Sequence, residues 1–223
     1  MSLMSAIATK LGIVTTLSSQ PASLAEERRE VARSRIIRAA RAQLAERGLS
    51  TTVDDIALAA HVSRRTVFRH FETREGLLAA ALEDSLHSYQ QHMKLTPPDE
   101  DADVDAWLAS LLHTAHRLNA RNGRAYLELA ANESDLTGEI AAVTAERRHR
   151  RADQATWVAT QTWRAHGGRG NPPHWVIDAF AIHLSGFTTA SLSLDFGRSP
   201  DDVAMGSARV LRATVEAALA AAR

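Results

Sequence analysis

Three arginines in the amino-terminal third of the chain are spaced so that they could bind a polyanion together. Arg64, Arg65 and Arg69 lie within six residues of one another, and Thr66 and His70 lie beside them. An arginine can donate two hydrogen bonds to guanine O6 and N7 in the DNA major groove, or bind a phosphate as a fixed cation. A threonine hydroxyl can also bond a phosphate. These residue types at this spacing favour nucleic-acid binding.

Two short predicted helices position these side chains. Thr52 is a suitable N-cap for a helix over residues 53–60, with two acids near the positive end of its dipole. Ser63 is the N-cap of a second helix over residues 64–71, and only residues 61–63 separate the two. The layout predicts a helix-turn-helix whose second helix reads DNA. Its apolar inner face would consist of Val53, Ile56, Ala57, Ala60, Val62, Val67 and Phe71.

Two further groups are placed to contact the DNA backbone. The start of the first short helix aims free N–H groups outward, which favours phosphate. Arg74 lies just inside the next predicted helix. The alternative is a helix-turn-helix that serves only as a packing unit. The predicted DNA-binding residues are Thr52, Ser63, Arg64, Arg65, Thr66, Phe68, Arg69, His70 and Arg74.

A long, ordered string of residues carries a family resemblance. Residues 51–57 (TTVDDIA), 61–71 (HVSRRTVFRHF) and 74–78 (REGLL) resemble the DNA-binding region of the TetR family of bacterial repressors. The strong resemblance covers about residues 30–80. It implies a transcriptional regulator without enzymatic activity. Such a regulator binds a palindromic operator as a homodimer, and a small hydrophobic or aromatic effector releases it.

Two positions depart from the family pattern. His61 stands where the family usually has glycine, at a turn position that tends to need positive φ. Phe68 stands where the family usually has tyrosine, whose hydroxyl reaches a phosphate. We therefore interpret Phe68 as a packing or thymine contact, and we expect Arg69 and His70 to carry more of the anchoring.

The rest of the chain is also predicted to be helical, which makes the fold class all-α. Apolar residues recur at intervals of three and four, without sustained alternation. We expect helices over residues 24–47, 74–95, 104–121, 125–132, 137–166, 174–196 and 200–222. The predicted domains are a flexible arm (1–23), a helix-turn-helix domain (24–72) and a helical ligand-binding and dimerisation domain (73–223).

The resemblance implies a ligand cavity and a dimer interface in the helical body. Aromatic side chains with polar tips suit an apolar or aromatic ligand, although each residue taken alone more often belongs to the core. The predicted pocket residues are Trp107, Leu111, His113, Tyr126, Trp157 and Trp163. The last two predicted helices could form a four-helix bundle with a partner. The predicted interface residues are Val176, Phe180, His183, Phe187, Val210 and Thr214.

Other constellations indicate less. His113 and His116 are spaced for a metal on one helix, but no third ligand is fixed nearby, so we expect neither a metal nor a cofactor. The basic run of residues 146–151 is typical of a solvated helix face, and it could instead touch DNA, a membrane or an acidic partner. A helical enzyme with a pocket histidine such as His113, or an adaptor that has lost DNA binding, are the alternative functions.

Bulk properties agree with a cytoplasmic DNA-binding protein and do not by themselves indicate one. The 223 residues carry no net charge, yet residues 24–71 hold ten arginines against six acids. This asymmetry makes the amino-terminal region basic on a neutral chain. There is no cysteine, which excludes disulfides and thiolate metal sites. No apolar stretch is long enough to cross a membrane.

Overall fold

The computed structural model describes residues 23–99 and 101–221, apart from the side chains of 122–124 and 126. The predicted flexible arm therefore lies outside the described residues, except for Ser23. The described residues fall into two units, 23–34 and 35–221, and the second holds both hydrophobic cores. The all-α prediction is confirmed, since the described residues contain helices and turns but no strand.

Nine α-helices follow one another along the described chain. Four are in the first half: α1 (Leu24–Arg47), α2 (Val53–Ala59), α3 (Arg64–His70) and α4 (Arg74–Met93). Five follow: α5 (Val104–Ala131), α6 (Gly138–Ala165), α7 (His174–His183), α8 (Gly186–Phe196) and α9 (Pro200–Ala221). Short 3₁₀ turns occupy Gly48–Ser50 and Glu133–Asp135.

Most predicted helices are confirmed, and two expectations are wrong. Residues 104–131 form one helix rather than two, because a single interior glycine costs a helix only about 1 kcal/mol and packing against α8 and α9 outweighs it. Residues 174–196 form two helices rather than one. The Ser185 hydroxyl accepts a hydrogen bond from the Thr188 N–H at 3.1 Å, and this cap starts α8.

Two apolar clusters stabilise the second unit. One joins α1–α4 through residues such as Ile36, Ile56 and Leu78, and it also takes in Leu129 of α5 and Ile140 of α6. The other joins α5–α7 and α9, with Leu112, Phe180 and Leu211 completely buried. The helix-turn-helix thus shares its core with helices of the body. None of the described helices is both long and apolar enough to cross a membrane.

Candidate nucleic-acid interface and ligand cavity

Local hydrogen bonds set the start of α2. The Thr52 hydroxyl accepts from the Asp55 N–H at 3.2 Å, and the Asp55 carboxylate accepts from the Thr52 N–H at 3.1 Å. This reciprocal pair is a capping box. Hydrogen bonds from the Thr52 side chain and backbone hold the pKa of Asp55 below its usual value. The Thr52 hydroxyl is therefore engaged in capping α2.

The turn between α2 and α3 is as tight as the sequence predicts. His61 has φ of 52°, which confirms the left-handed conformation expected at this position. The Ser63 hydroxyl accepts from the Thr66 N–H at 3.1 Å and starts α3. Val67 is buried against the other helices. The opposite face of α3 is therefore turned to solvent.

The exposed face of α3 carries the predicted cations. Arg65 and Arg69 are exposed, and neither has an ion pair or hydrogen bond within the described part of the chain. Arg64 is exposed but engaged: its guanidinium lies 2.7 Å from an Asp54 carboxylate oxygen and 5.3 Å from the centre of the Phe68 ring. Phe68 thus supports a neighbouring arginine, while 40% of its own surface stays exposed.

Arg74 is occupied by the loop before α2. Its guanidinium donates to the Leu49 carbonyl at 2.5 Å and to the Thr51 carbonyl at 2.8 and 3.0 Å. The predicted phosphate contact by Arg74 stays a prediction. In this conformation the side chain connects α4 to the 3₁₀ turn and is only partly exposed.

The same 3₁₀ turn is held from the body by α5. A Glu128 carboxylate oxygen accepts the Leu49 N–H at 2.6 Å. Gly48 has φ of 64°, and a Cβ atom there would collide with this carboxylate. Only glycine satisfies both conditions. Glu128 and Arg74 therefore fix one loop from two different helices.

A cavity of about 470 Å³ lies among α4, α5 and α6. This volume is in the range of small-molecule sites. Its walls combine apolar, amide and arginine side chains: Ser85, Leu86, Tyr89, Gln90, Met93, Leu95, Leu118, Asn119, Arg147, Arg150, Arg151, Asp153, Gln154 and Trp157.

Among the predicted pocket residues whose side chains are described, only Trp157 lines this cavity. Trp107 packs against Trp157, with ring centres 6.2 Å apart.

Other predicted pocket residues lie elsewhere. Leu111 and Trp163 are buried in the body core, and the Trp163 N–H donates to the Arg169 carbonyl at 3.3 Å. His113 lies beside Asp201 at 3.7 Å, away from the cavity lining. The Tyr126 side chain lies outside the described residues.

The sequence held a signal for the cavity that our interpretation missed. Arg147, Arg150 and Arg151 are three and four residues apart, so they share one face of α6 and meet the cavity. Arg148, in the same run, is exposed and pairs with Glu133. The run is therefore more than a solvated face.

The predicted interface residues divide between core and surface. Val176 and Phe180 are completely buried within the chain, so they belong to its core. His183 is half-buried, and its Nδ1 lies 3.0 Å from the Ser207 hydroxyl. The Thr214 hydroxyl donates to the Val210 carbonyl at 2.8 Å.

Other predicted interface residues are exposed. Phe187 and Val210 expose 52% and 46% of their surfaces, and the nearby Leu194 of α8 exposes 82%. Apolar surface thus remains open on α8 and α9.

Histidines cluster where α5 meets α7 and α8. His116 is completely buried, and its Nδ1 forms a hydrogen bond of 2.8 Å with the Thr189 hydroxyl. Burial, and then the nearby His183, lower the pKa of His116 to about 4. Among the described residues, no three histidine, aspartate or glutamate side chains are grouped closely enough to hold a metal.

Comparison with known proteins supports the resemblance seen in the sequence. Residues 36–81 match the family model described as bacterial regulatory proteins, tetR family. No curated protein sequence matches the chain.

Solved structures match over most of the chain. A TetR-family transcriptional regulator from Streptomyces coelicolor superposes with a TM-score of 0.64 at 19% identity, covering 86% of this chain and 82% of that one. AibR, solved with isovaleryl coenzyme A and operator DNA, gives 0.58 at 17% identity, over 79% and 96%. FadR from Bacillus subtilis, solved with stearoyl-CoA, gives 0.58 at 15% identity, over 80% and 96%. The chain therefore carries the amino-terminal domain of the TetR family of bacterial regulatory proteins, joined to a body with the fold of TetR-family transcriptional regulators.

Proposed function

We propose that this protein is a DNA-binding transcriptional regulator, acting as a ligand-responsive repressor in the cytoplasm. A homodimer binds a palindromic operator through the exposed face of α3. A small molecule in the cavity among α4, α5 and α6 weakens that binding. The protein performs no catalysis in this proposal.

The observation that carries the proposal is the availability of Arg65 and Arg69. Both are exposed on a helix whose other face is anchored by Val67, and neither is neutralised within the described chain. Free guanidinium groups on a rigid helix can reach base edges in the major groove. In this proposal Thr66 and His70 of α3 join the two arginines at the DNA, Thr52 and Ser63 cap α2 and α3, and Arg64 leaves Asp54 to bind DNA.

The cavity and the exposed apolar surface supply the regulatory part. A ligand among α4, α5 and α6 would contact α4, whose Arg74 holds the loop before α2. Movement of α4 would then shift this loop and, with it, α3, which is the reading helix of the proposal. Two of the similar solved structures contain coenzyme A thioesters. That similarity supports a bound small molecule in this fold.

Selection from a random DNA pool tests the proposal. The full chain should enrich a palindrome with two half-sites. Replacing Arg65→Ala or Arg69→Ala should weaken binding to that palindrome by about 1–3 kcal/mol where the side chain reads a base. Affinity measured between about 50 and 200 mM salt should fall steeply, because phosphate contacts release counterions.

A matched control separates these contacts from bulk charge. Arg164→Ala removes an exposed arginine from the carboxyl end of α6, and operator affinity should stay unchanged. A folded, dimeric protein that enriches no palindrome would exclude the regulator and favour an adaptor. A salt-independent affinity would contradict the role given to the arginines.

A further inference from the structure

We propose that the cavity selects an effector in which an anionic group is joined to an apolar body, with Arg151 as the anchor of the anion. The proposal rests on the proposed function in one respect, namely that the cavity binds the effector. It narrows the chemical class beyond a hydrophobic or aromatic molecule.

The apolar part of the effector has a matching wall. Leu86 and Met93 of α4, Leu118 of α5 and Trp157 of α6 line the cavity. Met93 is almost completely buried, and Trp157 is held in place by the ring of Trp107. Burying an alkyl chain or ring here removes apolar surface from water on both sides.

The arginines of the lining favour an anionic group on the effector. Three arginines line the cavity, Arg147, Arg150 and Arg151, whereas Asp153 supplies the one carboxylate among the described lining residues. Asp153 lies 3.4 Å from His149 and is exposed. The lining therefore has an excess of positive charge, which a neutral ligand would leave uncompensated.

Arg151 differs from its two neighbours. Arg150 already pairs with Glu146 and donates to the Gln90 side-chain oxygen at 2.6 Å, and Arg147 also has a partner within the chain. Arg151 is half-buried and has no hydrogen bond or ion pair within the described residues. Its burial lowers its pKa. A half-buried guanidinium without a carboxylate is a ready site for an anion.

Two neutral donors lie near the same guanidinium. Burial raises the pKa of Tyr89, although a hydrogen bond with the Gln154 side chain and then the charges of Arg151 and Arg147 oppose the shift, so its hydroxyl keeps its proton at neutral pH. The Gln154 amide nitrogen is buried in the lining without a well-formed hydrogen bond. An anionic oxygen beside Arg151 would give the buried Gln154 amide nitrogen an acceptor.

The shared chemistry can come from a free carboxylate or from the phosphates of a coenzyme A thioester. Titration calorimetry on the full chain can distinguish them with ligands of one chain length, all below micelle formation. Decanoate and decanoyl-CoA supply the two anions, decanol is neutral, and decyltrimethylammonium is cationic. At least one anionic probe should bind ten times more tightly than decanol, and the cation should bind weakest. The tighter of the two anions identifies the source.

Substitutions assign the anion to Arg151. Arg151→Gln should weaken the preferred anion about tenfold to a hundredfold, as expected for a charge-assisted hydrogen bond, and leave decanol unaffected. Arg151→Glu should reverse the preference toward decyltrimethylammonium. Arg148→Gln is the matched control: it removes an exposed arginine of the same run that does not line the cavity, and no affinity should change.

Three outcomes would overturn the inference: decanol binding as tightly as the tighter of the two anions, no binding of any anion, or an equal effect of Arg148→Gln and Arg151→Gln. The test is independent of operator binding, which is measured without these probes. A protein that binds decanoate through Arg151 but no operator would keep this inference and exclude the proposed regulator. A protein that binds its operator but prefers decanol would do the reverse.

Discussion

His116 is a buried base that the fold keeps neutral. No solvent reaches it, Thr189 engages one of its ring nitrogens, and His183 and His113 are the nearby groups whose positive charge opposes its protonation. A proton on the His116 ring would place a buried positive charge close to those two histidines. The unfolded chain has no such restriction, so the two states bind protons differently.

Stability should therefore fall as pH falls from about 6.5 toward 4. The pKa of His116 is about 4 in the folded protein, against 6.5 for a histidine in the unfolded chain. In that interval the unfolded state binds a proton that the folded state does not bind. Between pH 7.5 and pH 5.0 this contributes a loss of about 2 kcal/mol. Urea unfolding at both pH values should show a smaller loss for His116→Gln.

The exposed His174 provides the control for this measurement. His174→Gln removes an exposed imidazole at the start of α7 and should leave the pH dependence of unfolding as in the unmodified protein. If His116→Gln loses as much stability on acidification as the unmodified chain, His116 does not titrate as described.

Residue types in the reading helix were predictable, while their intramolecular partners were not. The sequence placed Arg64, Arg65 and Arg69 on one exposed face because the spacing of Val67 and Phe71 fixes the buried face. It could not show that Asp54 holds Arg64 or that Arg74 bonds backbone carbonyls. Those contacts depend on how separate segments pack, which a local pattern does not contain.

The 3₁₀ turn at Gly48–Ser50 is one element through which α5 and α4 contact the region that precedes the helix-turn-helix. Its Leu49 N–H is bonded to Glu128, and its Leu49 carbonyl is bonded to Arg74. Glu128 is part of α5, and α5 also contributes Leu118 to the cavity. We infer that α5, like α4, could transmit a ligand-induced movement from the cavity to the loop before α2.

Removal of the Glu128 carboxylate should destabilise this element. Glu128→Ala leaves a partly buried N–H without its partner, which costs about 1–3 kcal/mol. Urea unfolding measures the loss. Glu83→Ala, on the exposed side of α4, is the control and should change stability by less than about 0.5 kcal/mol. An equal loss in both variants would show that the hydrogen bond from Leu49 to Glu128 does not stabilise this turn.

Several helix starts were predictable from the capping side chain that precedes them. Thr52, Ser63 and Thr73 each accept a backbone N–H at a helix start, as expected from their side chains. The continuity of α5 through Gly123 was not predictable, because packing of distant helices decides it. A cavity in the helical body was expected, but most of its lining was not predicted, because α4 and α6 meet across 60 residues of sequence, as the hydrogen bond between Gln90 and Arg150 shows.

At the scale of the whole molecule, the exposed apolar surface of α8 and α9 is the proposed dimer interface. Phe187→Asp places a charge in that surface and should convert a dimer into monomers in analytical ultracentrifugation, because an unpaired buried charge costs several kcal/mol. Operator affinity should fall with it, since one reading head contacts one half-site.

A second aspartate variant controls for the charge itself. Leu58→Asp changes an apolar residue on α2 that is more exposed than Phe187, at 78% against 52%, and the protein should stay dimeric. An unchanged mass for Phe187→Asp would move the interface to another face.

The shared core of the first cluster also limits how this protein could be re-engineered. Leu129 and Ile140 belong to the body in sequence, yet they bury the same apolar surface as Ile36 and Leu78. A chimera that exchanged only the first 95 residues for another operator specificity would pair a foreign surface with these two side chains. A functional graft has to carry Ala125, Glu128, Leu129 and Ile140 with it, so the transplantable unit is discontinuous along the chain.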